Sequence, residues 1–273
     1  MTQQISRPAS EPSSETIVTA DFNVWEGVYA SFAEAPAIGP GFDGPVWRER
    51  SIQAARQAAA QVQGRQPLDY ALRQRNAVLP PVVATMLTQQ SRVSILDFGG
   101  GLGTGYFVLT GTIPEAAGRL DYSIVDVDGI AVAGRQLFDG KQGPTFQSEL
   151  PGAARFDIVH ASSVFQYIDD WRSLLARLAR HNARFLILAD MFVGDFESFV
   201  TLQNYYGSKI RHWFLNIREF IAEVERNGYK LALRVDCDAK IAGRYGPLPM
   251  GNFPSSLRLS NTSSFLFRCS NRA

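Results

Sequence analysis

An open, doubly wound α/β sheet is the fold class this sequence predicts, and three observations carry it. From Arg92 onward short apolar runs alternate with amphipathic stretches. The runs are apolar almost throughout, as strands buried on both faces of a parallel sheet are. The first run leads directly into the glycine-rich turn Gly99-Gly100-Gly101-Leu102-Gly103, where a ligand would sit in such a sheet.

In chain order, residues 1–20 carry Ser6, Pro8, Ser10, Pro12, Ser13 and Ser14, with no basic stretch followed by an apolar run. They read as a disordered tail and not as a secretory signal. Residues 21–90 read as helical or irregular. Trp25, Tyr29 and Phe32 fall on one face of a helix that Pro36 would end. Further helices are expected over 47–63, stopped by Gly64, and over 68–76 and 80–89, the last with Pro80 and Pro81 at its start. Strands are expected over 93–98, 121–127, 156–161 and 184–190, with helices over 129–138 and 171–181 between them. Asn216 opens another helix with Glu219 in capping-box spacing, and Asn227-Gly228 stops it. Runs 229–235 and 264–269 close the sheet. No helix links them, so an antiparallel pair is expected.

Composition narrows the function. Apolar residues make up 45% of the 273, enough for a sizeable core. The net charge of +1 lacks the basic excess of a typical nucleic-acid binder. No apolar run approaches the ~20 residues of a membrane helix. Cys237 and Cys269 form no CxxC and cannot make a four-ligand zinc site. They read as buried reduced thiols in a cytoplasmic protein, with no metal site.

The motif that carries chemistry is Asp97-Phe98-Gly99-Gly100-Gly101-Leu102-Gly103. Glycines let a ligand approach the main chain, and the helix behind the turn offers free N–H groups. A dinucleotide fingerprint needs a third Gly or Ala where this chain has Thr104 or Tyr106, and a P-loop needs a lysine that is absent. An acid two residues before the first glycine repels a pyrophosphate. It suits a ligand with an ammonium group and no phosphate, such as S-adenosylmethionine.

From about residue 92 to its end the chain resembles the class I S-adenosylmethionine-dependent methyltransferases. The resemblance implies a Rossmann-like seven-stranded sheet over 91–273, with 21–90 as an N-terminal helical cap. It implies that Asp97, Gly99, Gly100, Gly101 and Gly103 hold the methionyl end of the cofactor. Asp126, with Val127 beside it, would take the ribose hydroxyls, a chemically sensible clamp for a carboxylate; Asp128 is the alternative. Ser148 and Glu149 stand where the adenine-contact region falls, although the family usually has Asp there. Ser162, Ser163 and Gln166 stand where the family lines the methionyl side and faces the acceptor. Gln166 replaces a histidine common in small-molecule O-methyltransferases, and Gln is no base at neutral pH. The combination Trp25-Glu26-Gly27-Val28-Tyr29, Leu96 to Gly103 and Tyr106 looks like a bacterial methyltransferase family found near surface-polysaccharide or small-molecule biosynthesis genes.

His160 and His181 read as structural. His212 lies in a stretch with Tyr205, Tyr206, Arg211 and Trp213, read either as a packed helix and loop or as an acceptor-binding element. In the second reading His212 is the catalytic base and its neighbours line the acceptor site, joined by Tyr245 from a late loop. The function expected is methyl transfer to an oxygen or nitrogen of a small molecule or glycan precursor. A non-catalytic cofactor-binding scaffold and a nicotinamide-dependent oxidoreductase are the alternatives. The partner expected is a small-molecule acceptor, with no nucleic acid or membrane, and a homodimer is the assembly considered.

Overall fold

The computed structural model describes residues 22–152, 154–238, 240–241 and 244–270, so the tail expected over 1–20 lies outside them. The chain opens with β1 (Trp25–Tyr29), α1 (Pro45–Gln63), α2 (Tyr70–Arg75) and α3 (Leu79–Leu87). Then come β2 (Val93–Phe98), α4 (Thr104–Thr112), β3 (Leu120–Val125), α5 (Asp128–Leu137), β4 (Thr145–Gln147) and β5 (Ile158–Ser162). They are followed by α6 (Trp171–Ala179), β6 (Phe185–Met191), β7 (Val193–Gly194), β8 (Phe199–Tyr205), β9 (Ser208–Asn216) and α7 (Ile217–Arg226). The chain closes with β10 (Tyr229–Cys237), β11 (Lys240–Ile241), β12 (Arg244–Tyr245) and β13 (Thr262–Cys269).

Seven strands form the main sheet in the order β10-β13-β6-β5-β2-β3-β4. The strands from β6 to β4 are parallel, and β13 is antiparallel to both β6 and β10, as expected from the missing crossover. Strand order reverses between β2 and β5, which places a ligand crevice at their carboxyl ends. Strand periodicity divides the core. Ile95 packs with α1, α3, α4 and α5 on one face, and Leu96 packs with α6 and α7 on the other. Local signals act where expected: Asn216 Oδ1 accepts from the backbone N–H of Arg218 and Glu219 at 2.9 and 3.0 Å and so caps α7. Cys237 and Cys269 are buried free thiols.

Two expectations fail together. Residues 25–29 are a strand and not a helix, and 204–214 belong to the β8–β9 hairpin and not to a helix and loop. The two errors are one structure: β1 pairs antiparallel with β8, with Trp25 opposite Gln203. The resulting small sheet runs β1-β8-β9-β7. Gly27, at φ +76°, takes a conformation foreign to a helix interior. The Asn204 amide donates to Asn23 O and Glu26 Oε1, and Lys209 Nζ meets Glu26 Oε2 at 2.6 Å. Tertiary pairing therefore overrides the helical spacing of Trp25, Tyr29 and Phe32.

Candidate cofactor and acceptor site

The glycine turn joins β2 to α4. Gly99, Gly101 and Gly103 have φ of +66°, +58° and +94°, a region that side chains resist. Each glycine has a different neighbour. A Cβ at Gly99 would overlap Val164, and one at Gly100 would lie 2.5 Å from Asp97 Oδ2. At Gly101 a Cβ would meet nothing within 4 Å. The main chain is thus open to a ligand at Gly101 and packed on protein at Gly99 and Gly100.

Asp126 follows β3 and reaches across to this turn. Its Oδ2 accepts from Gly101 N–H at 2.8 Å and its Oδ1 from Val127 N–H at 2.8 Å. Burial raises its pKa, and the two N–H groups oppose that rise. Each carboxylate oxygen keeps a lone pair for a ligand hydroxyl. Asp128 is exposed and begins α5. Val127 is exposed and lines a cavity of about 50 Å³ with Phe42, Trp47, Arg48 and Ile130. Ser148 and Glu149 are exposed just beyond β4, whose Gln147 carbonyl accepts from Asp126 N–H at 3.1 Å.

Asp97 sits beneath the glycine turn, near the end of β2. It is 1% exposed, and both oxygens are engaged: Tyr122 Oη donates to Oδ2 at 2.6 Å, and His160 Nδ1 lies 2.8 Å from Oδ1. Its carboxylate braces the base of the turn, buried with one protein partner on each oxygen. His160 is a structural partner, as expected, and His181 bonds to Ala154 O through Nδ1.

Beyond β5 the chain turns over the glycine loop. Ser162 is half-buried at the strand end, Val164 packs against Gly99, and Gln166 is buried with its Oε1 unpartnered. The structure therefore gathers the glycines, Asp126, Val127, Ser162 and Gln166 along one edge, at the carboxyl ends of β2, β3 and β5.

The acceptor-side expectations divide. In a strand successive side chains face opposite ways, so His212 and Phe214 point to one face of β9 while Arg211 and Trp213 point to the other. Arg211 Nε donates to Ala35 O at 2.8 Å, and the Trp213 ring lies on Phe32 with centroids 5.5 Å apart. Both belong to the packing of the N-terminal segment, which corrects their assignment to the acceptor wall. His212 is wholly buried among Trp25, Tyr167, Phe192 and Phe214, with both ring nitrogens unpartnered. Burial pushes its pKa down to about 3, so the ring is neutral but a very weak base. That environment does not fit a general base working near neutral pH.

Tyr205 stays at the cleft, where its ring meets Phe42, and burial pushes its pKa up to about 12. Tyr206 is exposed beneath the Arg50 guanidinium, 4.7 Å from the ring centroid. Tyr245 is exposed, with its ring against Tyr70 in α2. Sequence reading missed Phe42, Trp47 and Tyr167. Phe42 touches Trp47, Tyr167 and Tyr205 and links the N-terminal segment to the sheet edge. The Gly/Pro-rich stretch around it carried no periodic signal.

Comparison with known proteins bears on the family and the fold. The family model described as a methyltransferase domain matches residues 71–233. A chain from the complex between the Haloferax volcanii Trm112 methyltransferase activator and a methyltransferase superposes with TM-score 0.51 at 12% identity, over 83% of this chain and 98% of that one. Burkholderia thailandensis 1,6-didemethyltoxoflavin-N1-methyltransferase gives TM-score 0.49 at 16% identity, over 86% of this chain and 94% of that one. Synechocystis magnesium protoporphyrin IX methyltransferase gives 0.47 at 14%, over 82% and 98%. No curated protein matches in sequence. The seven-stranded sheet has the class I, Rossmann-like order, and the chain belongs to the methyltransferase-domain family, whose cofactor is S-adenosylmethionine.

Proposed function

We propose that this protein transfers a methyl group from S-adenosylmethionine to an oxygen or nitrogen of a small molecule or glycan precursor. The single observation that carries the reading is the open cradle at Gly101, with the Asp126 carboxylate held above it by that glycine's own N–H. This arrangement fits an adenosyl ligand: Asp126 would bind the ribose hydroxyls, the glycine main chain would lie along the ligand, and Val127, Ser148 and Glu149 would flank the base. The bound cofactor supplies an electrophilic methyl group on sulfur. The residues beyond β5 orient the acceptor, and much of the rate would come from holding the two reactants in line.

Support for a small acceptor comes from the near-neutral charge and from the aromatic lining of Phe42, Trp47, Tyr167 and Tyr205. A cytoplasmic site of action accords with two free buried thiols, and no helix among the described residues is long and apolar enough to cross a membrane. The resemblance carried jointly by Trp25–Tyr29, Leu96–Gly103 and Tyr106 supports a biosynthetic role. The test is incubation with S-adenosylmethionine and pathway intermediates or extracts, read by mass spectrometry. A gain of 14 daltons in a small molecule is expected; conversion of the cofactor with label appearing only in protein or nucleic acid would overturn the acceptor class.

A further inference from the structure

Asp190 is the penultimate residue of β6, at the sheet's carboxyl edge and next to the end of β5. It is 6% exposed, and among the described residues no Lys, Arg or His forms an ion pair with it. Hydroxyls hold it instead. Ser163 Oγ donates to Oδ2, Thr262 Oγ1 donates to Oδ1 at 2.6 Å, and the Asp190 N–H donates to Ser264 Oγ at 3.1 Å. A buried carboxylate without a cation is costly, and two neutral donors leave it with accepting capacity to spare.

Its position joins it to the cofactor cradle. Ser163 immediately precedes Val164, the residue that packs against Gly99. Three residues after Ser163, Gln166 is 2% exposed with Oε1 unpartnered, an unmet acceptor in the same turn. Tyr167, next in the chain, places its ring against Phe42. Asp190 thus lies one hydrogen bond from the turn that covers the glycine loop. Ser163 and Asp190 also both hold positive φ, at +58° and +53°, unusual for residues with a Cβ. Such strain persists where surrounding structure enforces it, and functional sites are where it concentrates.

We propose that Asp190 is the acceptor-side carboxylate of this methyltransferase: it accepts the hydrogen bond of the attacking hydroxyl or amine and takes its proton during transfer, with Ser163 and Thr262 fixing its orientation. In this step a lone pair of the acceptor oxygen or nitrogen forms the bond to the methyl carbon. The carbon–sulfur bond breaks with its electrons left on sulfur as a neutral thioether, and the acceptor proton passes to Asp190 and from there to water. The acceptor class is accordingly one that presents O–H or N–H, and not a thioether or a carbon nucleophile without an acidic proton. The proposal rests on the methyltransferase reading above.

Two readouts test it. The first is a crystal structure of the full chain with S-adenosylmethionine bound. Asp190 must lie within about 7 Å of the methyl carbon, given a near-attack separation of ~3–3.5 Å and a hydrogen bond of ~2.6–3.2 Å. A carboxylate farther away, or walled off from the methyl group by protein, overturns the proposal. The second is tritium transfer from labelled S-adenosylmethionine into the small-molecule fraction of a cell extract. Asp190→Asn should lower transfer about 10²–10⁴-fold, with S-adenosylhomocysteine affinity by calorimetry unchanged within about twofold. Ser163→Ala, which keeps the carboxylate, should lose less. Retained transfer in a folded Asp190→Asn overturns the base role. Where the extract offers no acceptor, or Asp190→Asn does not fold, the bound structure decides alone. Failure of the wild type to bind S-adenosylhomocysteine removes the methyltransferase reading itself, which separates that failure from this one.

Discussion

Replacing His212 with phenylalanine should make the protein less sensitive to acid. The imidazole sits at 0% exposure inside a cage of Trp25, Tyr167, Phe192 and Phe214, and neither nitrogen has a partner. Burial lowers its pKa from 6.5 to about 3 in the folded protein. The unfolded chain therefore binds a proton below about 6.5 that the folded chain refuses. The stabilisation tied to the neutral ring is complete above the unfolded value and is lost as pH falls from there towards 3. At about 1.36 kcal/mol per unit, this group alone should remove about 2 kcal/mol between pH 7 and pH 5. A phenyl ring of similar size has no proton to bind and leaves no orphaned ring nitrogen, whose burial costs ~1–3 kcal/mol. Urea unfolding at pH 7, 6 and 5 measures this. His212→Phe should match or exceed the wild type at pH 7, and its advantage should grow by about 2 kcal/mol by pH 5. Parallel stability curves for the two proteins would show that the ring is hydrated or protonated in the fold, and would refute the reasoning.

Other perturbations probe the cradle and its supports. Asp126→Ala should weaken cofactor binding by about 1.5–3 kcal/mol in calorimetry, and Asp128→Ala should change it much less; the reverse order would place the clamp two residues further on. Gly134→Ala puts a methyl group into the Phe146 ring behind β4, so chemical denaturation should show a loss of about 1–3 kcal/mol; an unchanged midpoint would show that the ring moves freely. Asn216→Ala removes the cap of α7 and a 2.7 Å bond to Phe196 O, for a loss of about 0.5–2 kcal/mol that Asn216→Ser should partly restore.

The main sheet was legible because its signals are local. Strands β2, β5 and β6 are largely apolar and β3 is so over most of its length, and Gly99 to Gly103 mark where the first of them ends. Asp126 was legible for the same reason, as an acid at a strand end in a known topology. The small sheet was not. Trp25, Tyr29 and Phe32 happen to fit a helical stripe, and only pairing with residues about 175 positions away makes a strand of 25–29. The hairpin did leave a signal in Tyr206-Gly207, both at positive φ, the two-residue turn that joins β8 to β9. Reading that turn gives the alternation that sends Arg211 and Trp213 away from His212. The bonds that hold Asp97 were not legible, since its partners Tyr122 and His160 come from two other strands. Asp190 was passed over because an acid closing an apolar run says nothing of the hydroxyls that β13 brings beside it.

Isothermal titration of the full-length protein with S-adenosylhomocysteine, and separately with NADH, tests the central claim most directly. The open cradle at Gly101 and the Asp126 clamp lead us to expect micromolar binding of S-adenosylhomocysteine and none of NADH. That binding should be lost in Gly101→Val, with thermal unfolding confirming that the variant remains folded. NADH binding without S-adenosylhomocysteine binding would contradict the account.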